Sequence, residues 1–419
     1  MEILSIGEKI KRSRIYKGYT LKDVCSDKIS ISKMSCIENG KIIPEEWVLK
    51  LVSEKLDIDI KYLKKDIKEQ LEENLKAIRS NTFKSEMEEM YKYNLEYAEE
   101  YNYYSMAFDI MHLLFKYYLD IKDVNSCQIW TSKYHNLCIK SDIDGNRLIY
   151  YLDVGGYLYM GKEYFQAASY YNNVRKELTS NGSKEYRIII SATYQEAKCY
   201  LIMKNYEKAY EIVDKLMEYI EKLDNDDYKA EIYNLVAVLS IKVGNGKFKK
   251  YEKYSLELCK NNIREKGIFL YRYGSAMIGM DKNEKAYEYI YEAMNLYPDE
   301  DKLDYVNFMI DVIQSLIDIG KLDIARELCD KILNYSIDIN NNIFIEKAYY
   351  FKAITISSDE KFETVEMYMN LSMDILLKIG TKEQVYKRYL ELGNLYFKNG
   401  DTNESLKYFS FAINLGKKL

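Results

Sequence analysis

Five side chains in one short segment carry groups that can bond to nucleic acid. Residues 30–36 read "SISKMSC", so serines and a lysine are crowded into about two helical turns. Serine hydroxyls bond to base edges or phosphates, and a lysine ammonium reaches a guanine edge or a phosphate. The residues concerned are Ser30, Ser32, Lys33, Ser35 and Cys36. Their spacing on one predicted helix indicates a DNA contact through the major groove.

The segments around this helix predict a helix-turn-helix. Thr20 can cap a short second helix, and a tight turn at residues 26–28 leads into the third. Asn39 and Gly40 end the third helix, and Pro44, followed by two glutamates, suits the start of a fourth. Five short helices in about 60 residues, with the second and third joined tightly, are typical of this motif. The third helix would then enter the groove.

Charge and apolar pattern agree with a nucleic-acid-binding N-terminal domain. Residues 1–66 contain 14 Lys and Arg against 11 Asp and Glu, whereas the remainder has 47 against 55. The cations predicted to contact backbone phosphate are Lys9, Arg12, Arg14 and Lys41. The apolar residues predicted to form the core of this domain are Met34, Ile37 and Trp47. A helical docking module that does not bind DNA remains the alternative.

Composition predicts an all-α protein of more than one domain. The chain has 419 residues with only 2 prolines and 18 glycines, which favours long helices joined by short connections. Seven cysteines without a regular framework indicate reduced thiols, and no apolar run resembles a signal peptide or a membrane span. We therefore expect a cytoplasmic protein without membrane contact.

No catalytic, cofactor or metal motif is recognisable in the sequence. The two histidines, His112 and His135, lie in different predicted helices, and the spacing of His135 from Cys127 and Cys138 matches no zinc pattern. A P-loop, a dinucleotide-binding glycine motif and a nucleophile elbow are not found. The sequence predicts no enzyme activity, no cofactor and no metal.

Beyond residue 82 the sequence repeats itself at intervals of about 40 residues. Equivalent positions of the repeats, most of them small or modest in size and Ile313 the exception, are Gly155, Ala197, Ala237, Gly274, Ile313, Ala353 and Gly393. Twelve residues later, in all repeats but the third, a second such position follows: Ala167, Ala209, Ala286, Ala325, Val365 and Ser405. A weaker repeat around Phe115 and Cys127 precedes them. Small residues let the two helices of a hairpin approach closely, so we predict a tetratricopeptide-like array.

The predicted domains are residues 1–66 for DNA binding, a linker helix at residues 67–82, and the repeat array at residues 83–419. A right-handed superhelix of hairpins has an inner wall built from the first helix of each pair, which suits an extended peptide. The register assigns to this wall Tyr194, Gln195, Asn234, Tyr271, Arg272, Asn307, Asp311, Gln314, Lys347, Tyr350 and Asn394. Amides can pair with a peptide backbone, and tyrosines add contact area, but each residue is equally interpretable as a packing or solvated residue.

Two resemblances follow from these motifs. The segment "SCIENGKIIPEEW" resembles the helix-turn-helix of the XRE family, and the whole arrangement resembles the RRNPP family of intracellular peptide-pheromone receptors. The resemblance implies a homodimeric transcription regulator that binds a palindromic operator and a short signalling peptide. It also implies that Asn234 and Asn307 clamp the peptide backbone. Repeats that bind a protein partner instead, such as a response regulator, remain the alternative.

Overall fold

The computed structural model describes residues 2–25, 28–80, 87–259, 262–280, 282–356 and 362–419, with backbone only at residues 79 and 80. Over these ranges the chain forms 23 α-helices and one short 3₁₀ helix, and no strand. The predicted all-α fold class is therefore confirmed. The helices group into two compact units, Met1–Met203 and Lys204–Leu419. Within the described ranges, no helix combines the length and the apolar character needed to cross a bilayer.

The first unit contains twelve helices. They are α1 (Ile6–Tyr16), α2 (Leu21–Cys25), α3 (Ile31–Glu38), α4 (Glu46–Leu56), α5 (Ile60–Lys64), α6 (Ile67–Ser80), α7 (Met87–Glu100), α8 (Tyr104–Asp120), α9 (Val124–Ser141), α10 (Asp144–Met160), α11 (Tyr164–Ser180) and α12 (Tyr186–Ile202). We refer to α1–α5 as the N-terminal bundle. Its helices begin and end near the residues that the sequence indicated, although two residues of the predicted turn, Ser26 and Asp27, lie outside the described part.

Local capping explains several of these boundaries. Ser5 and Glu8 form a reciprocal capping box at the start of α1, and Ser30 caps α3 by accepting from the amide of Lys33. Gly40 has φ +71°, the left-handed conformation that ends a helix without strain in glycine. The third helix and the turn that follows it are thus fixed by short-range interactions.

The core of the N-terminal bundle contains Met34 and Ile37, as predicted, packed with residues of α1, α4 and α5. The prediction that Trp47 belongs to this core is wrong, because its side chain is 43% exposed and lies outside the core. Its indole nitrogen donates to Glu45 Oε2 (2.9 Å) at the start of α4. Trp47 is the second residue of α4, whereas the buried stripe of that helix begins one residue later, at Val48.

Helix α6 covers most of the predicted linker, but it does not stand alone. Its apolar residues Leu71, Leu75 and Ile78 are buried in one core with α7–α10. A helix whose apolar stripe is buried against a neighbour is part of that neighbour's domain rather than a spacer. Residues 81 and 82 of the predicted linker lie outside the described part. The three-domain division itself stays a prediction.

The second unit contains eleven α-helices. They are α13 (Tyr206–Leu216), α14 (Asp226–Val243), α15 (Phe248–Leu258), α16 (Ile263–Met277), α17 (Asn283–Leu296), α18 (Lys302–Asp318), α19 (Leu322–Asp338), α20 (Asn342–Ile356), α21 (Phe362–Ile379), α22 (Lys382–Lys398) and α23 (Thr402–Gly416). Consecutive helices pair as hairpins: α14 with α15, α16 with α17, α18 with α19, α20 with α21, and α22 with α23.

The small positions of the repeat lie where the two helices of a hairpin meet. A Cβ on Gly274 would come within 2.6 Å of Ile290 Cγ1 and 2.8 Å of the carbonyl oxygen of Ala286. At the last hairpin, Ser405 Oγ donates to the carbonyl oxygen of Gly393 (2.9 Å). The two small positions, twelve residues apart in sequence, therefore face each other, as the repeat pattern predicted.

Candidate DNA-reading helix and ligand-binding surface

Helix α3 presents a polar side to solvent. Ser32 is exposed, and Ser35 and Cys36 are half-buried on the same short helix. The Ser30 hydroxyl is also exposed, but it already accepts from the Lys33 amide (3.1 Å), which leaves its proton and one lone pair for another partner. Met34 and Ile37 fill the opposite side of α3. The helix thus has a buried side that anchors it and a polar side.

The only cation of α3, Lys33, is held by the start of α4. Its ammonium donates to Glu45 Oε1 (2.9 Å) and lies 5.6 Å from the centre of the Trp47 ring. The hydrogen bond from Lys33 lowers the pKa of the Glu45 carboxyl. Glu45 therefore competes with any phosphate that would bind Lys33.

Two of the predicted phosphate contacts point into the protein. Lys9 is fully buried, and its ammonium donates to the carbonyl oxygens of Tyr62 (2.9 Å) and Lys65 (2.6 Å). Burial lowers its pKa. Since a buried ammonium with two backbone acceptors cannot reach DNA, Lys9 ties α1 to α5 instead. The interpretation of Lys9 as a phosphate contact is wrong.

The prediction that Arg14 contacts phosphate is also wrong. Its guanidinium makes a two-pronged ion pair with the buried carboxylate of Glu38 (2.7 and 2.8 Å) and also donates to the carbonyl oxygen of Tyr19. The pair joins α1 to the end of α3. Arg12 is exposed, but it pairs with Glu2, whereas the exposed Lys41 stays a candidate phosphate contact.

A contact that the sequence did not indicate fixes residues 2–5 to the rest of the first unit. Ile3 is fully buried in the core of α6–α10, and its amide donates to the hydroxyl of Tyr93 on α7 (2.9 Å). Gln70 on α6 accepts from the amide of Leu4 (3.1 Å) and donates to the carbonyl oxygen of the same residue (2.9 Å). We call residues 2–5 the N-terminal anchor. It connects the N-terminal bundle to α6 and α7.

In the second unit, the first helices of the hairpins carry most of the predicted ligand residues. On α18, Asn307, Asp311 and Gln314 are exposed at intervals of four and three residues, so they form one stripe. Tyr271 on α16 donates to the carbonyl oxygen of Asp311 (3.1 Å). Neighbouring first helices therefore bring these side chains together.

The same surface continues over α20 and α22. Tyr350 donates to Glu391 Oε1 (3.1 Å), and the guanidinium of Arg388 lies 3.8 Å from the centre of the Tyr350 ring. Burial raises the pKa of the Tyr350 hydroxyl to about 12. Lys347 is half-buried on α20, and Asn394 is exposed on α22. We use the name ligand surface for the predicted ligand residues of α14, α16, α18, α20 and α22 together with two neighbours: Asn234, Tyr271, Arg272, Asn307, Asp311, Gln314, Lys347, Tyr350, Asn394, Arg388 and Glu391.

Asn234, at the α14 end of this surface, is not accessible. It is 1% exposed, and its Oδ1 accepts from Arg272 Nη1 on α16 (3.0 Å). The same nitrogen donates to Glu231 Oε2 (2.9 Å). The predicted clamp residue thus lies beneath an arginine that the sequence placed on the same wall.

The remaining two predicted ligand residues, Tyr194 and Gln195, lie on α12 in the first unit. Tyr194 on α12 is buried, with the ammonium of Lys198 5.3 Å from its ring centre, while Gln195 is half-buried. Sequence analysis did not single out Glu231, Arg388 or Glu391. Glu231 and Glu391 left a local signal, because each lies three residues before a predicted ligand residue on the same helix. Arg388 lies six residues before Asn394 and left no such signal.

The fold is shared with known quorum sensors. The apo form of the quorum sensor NprR from B. thuringiensis matches with 18% identity and a TM-score of 0.51, over 83% of this chain and 98% of that chain. The apo form of RapI matches with 13% identity and a TM-score of 0.50, over 84% of this chain and 97% of that chain. No family model matches the sequence, and a search of curated proteins finds no match.

The resemblance to RRNPP receptors is confirmed at the level of the fold, since NprR belongs to that family. A further match, PlcR of Bacillus thuringiensis in complex with the peptide PapR7 and DNA, has 16% identity over 66% of this chain and 99% of that chain. The TM-score of this match is 0.36. At these identities the comparisons concern architecture, an all-α array of tetratricopeptide-like hairpins.

Proposed function

We propose that this protein is a cytoplasmic, homodimeric transcription regulator whose DNA binding is controlled by a short signalling peptide. The observation that carries the proposal is the ligand surface, where amide, tyrosine and charged groups lie on five successive first helices and hydrogen bonds join α14 to α16, α16 to α18 and α20 to α22. A peptide extended along such a surface would meet a donor or an acceptor on each helix.

The proposal that the protein binds DNA is based on α3. Its exposed side carries Ser32 and the N-cap Ser30, with Ser35 and Lys33 beside them. In a helix-turn-helix these first-turn positions meet base edges, while exposed cations such as Lys41 meet phosphates. Two bundles in a homodimer would bind the two halves of a palindromic operator.

The N-terminal anchor supports mechanical coupling within the first unit. Because Ile3 is buried in the core of α6–α10, a movement of α6 or α7 would reorient α1, and with it α3. A peptide that binds one arrangement of the array more tightly than another would shift the equilibrium by its differential affinity.

The DNA-binding step can be tested by selecting sequences from a random duplex pool with the full-length chain. We expect the wild-type protein to enrich a palindromic sequence and the double variant Ser32→Ala, Ser35→Ala to lose or relax that preference. Ser410→Ala on α23 serves as the matched control, since its hydroxyl bonds only within its own helix. Equal enrichment by the double variant would contradict the assignment of α3.

The peptide step uses the duplex selected in this way. Peptides that the immobilised protein retains from a random-sequence pool of synthetic heptapeptides are resynthesised and added singly, and at least one should change the affinity of the protein for that duplex about fivefold or more. An unchanged affinity at a saturating concentration of each retained peptide, with DNA selection intact, would contradict peptide control. It would leave a DNA-binding regulator whose repeats bind a protein partner.

A further inference from the structure

Asn234 can serve as a ligand clamp only after a neighbouring side chain moves. Its Oδ1 accepts from Arg272 Nη1 (3.0 Å), and the residue is 1% exposed. Among the described residues, its buried amide nitrogen has no hydrogen-bond partner. The Tyr273 hydroxyl lies near that nitrogen, but it is bonded to Ser255 Oγ (2.6 Å). Among the described residues, the hydrogen bond from Arg272 is therefore the one that holds the Asn234 amide at normal geometry, while the Tyr273 hydroxyl lies beside it.

Arg272 itself is poised for another partner. Its side chain is 42% exposed, and only Nη1 forms hydrogen bonds within the described part of the chain, to Glu231 and Asn234. The Nε and Nη2 groups form no hydrogen bond with the described residues, and the guanidinium carbon lies 5.7 Å from the centre of the Phe269 ring. A guanidinium edge of this kind binds a planar carboxylate through two parallel hydrogen bonds.

A neutral acceptor would not suffice to draw Arg272 away. Glu231 holds the guanidinium with a charged hydrogen bond of 2.9 Å, so the incoming group must offer comparable charge. The side chains are 42% exposed for Arg272 and 29% exposed for Glu231, so solvent reaches the pair and a carboxylate from a ligand can take the place of Glu231.

We infer that Arg272 is a removable cover over Asn234, and that the ligand which opens it carries a carboxylate. This inference rests on the proposed peptide binding. When Arg272 pairs with the ligand carboxylate, Asn234 Oδ1 becomes free to accept a backbone N–H, and the unbonded amide nitrogen can turn to a backbone carbonyl. Arg272 thereby selects acidic ligands before the amide engages them.

The carboxylate can come from an Asp or Glu side chain or from the peptide C-terminus, and synthetic pools separate the two sources. Four pools of random heptapeptides are used, with or without Asp and Glu, and each with a free or an amidated C-terminus. Immobilised full-length protein is incubated with each pool, and the retained peptides are identified and quantified by mass spectrometry.

We expect wild-type protein to retain carboxylate-bearing peptides about 10- to 100-fold better than the amidated pool without Asp and Glu. Arg272→Gln should remove this preference, and Arg272→Lys should restore part of it, since it keeps the charge but loses the fork. Glu231→Gln should increase retention, because the cover is held less firmly. Arg187→Gln, an exposed arginine of the first unit, is the matched control.

The possible failures are distinguishable. Equal retention of all four pools by wild-type protein, or an acidic preference that survives Arg272→Gln, would overturn the role of Arg272 while peptide binding stands. Retention of no peptide from any pool would overturn peptide binding itself, and the inference with it. Thermal unfolding of each variant verifies that the exposed substitutions leave the fold intact.

Discussion

The N-terminal anchor gives the sharpest test of how the N-terminal bundle is held. Ile3→Ala removes three carbon atoms from a fully buried side chain. At about 0.8 kcal/mol for each buried carbon, the transfer term alone is about 2.4 kcal/mol, and the cavity left behind raises the loss to about 3 kcal/mol. The hydrogen bonds of Leu4 with Gln70 remain available to the variant. Docking of the anchor should weaken about 100-fold.

Hydrogen exchange measures this directly. The amides of Ile3 and Leu4 donate to side chains of α7 and α6, so their exchange reports undocking of the anchor. We expect both to exchange about 100-fold faster in Ile3→Ala. Ile43→Ala is the matched control, because Ile43 belongs to the same bundle but is 87% exposed. If the two amides exchange as slowly in Ile3→Ala as in the control, the anchor does not hold the bundle.

Three further predictions follow from particular contacts. Glu45→Gln releases Lys33, so it should raise the affinity for duplex DNA. In titrations at several salt concentrations, the salt dependence of binding should increase by about one phosphate contact. Glu54→Gln makes the same change in charge and should not add that contact. Gly274→Ala should destabilise the fold by about 1–3 kcal/mol in urea unfolding, since its Cβ has no space, whereas Gly145→Ala, with no atom within 4 Å, should be neutral or stabilising. Lys9→Met should lower the free energy of unfolding by about 1–3 kcal/mol, because two hydrogen bonds are lost. The salt dependence of DNA binding should be unchanged. A reduced salt dependence would show that Lys9 contacts phosphate.

The helices and their pairing into hairpins can be predicted from local sequence signals. Helix ends depend on residues within a few positions of one another, such as the Ser30 hydroxyl and the Lys33 amide, so the signals are local and readable. Close approach of two helices in a hairpin demands small residues at fixed spacing, and Gly393 and Ser405 meet as that spacing predicted. These features allowed the all-α repeat fold to be recognised without coordinates.

The accessibility of the polar side chains depends on contacts between residues far apart in the sequence. Lys9 finds its acceptors 53 and 56 residues away, and Arg272 reaches Asn234 over 38 residues, so neither pairing leaves a local signal. A charged or amide side chain is stable inside a protein when such partners exist and is exposed when they do not. Residue type and register could therefore place Asn234 and Arg272 on the same wall. That Arg272 covers Asn234 depends on the packing of α14 against α16.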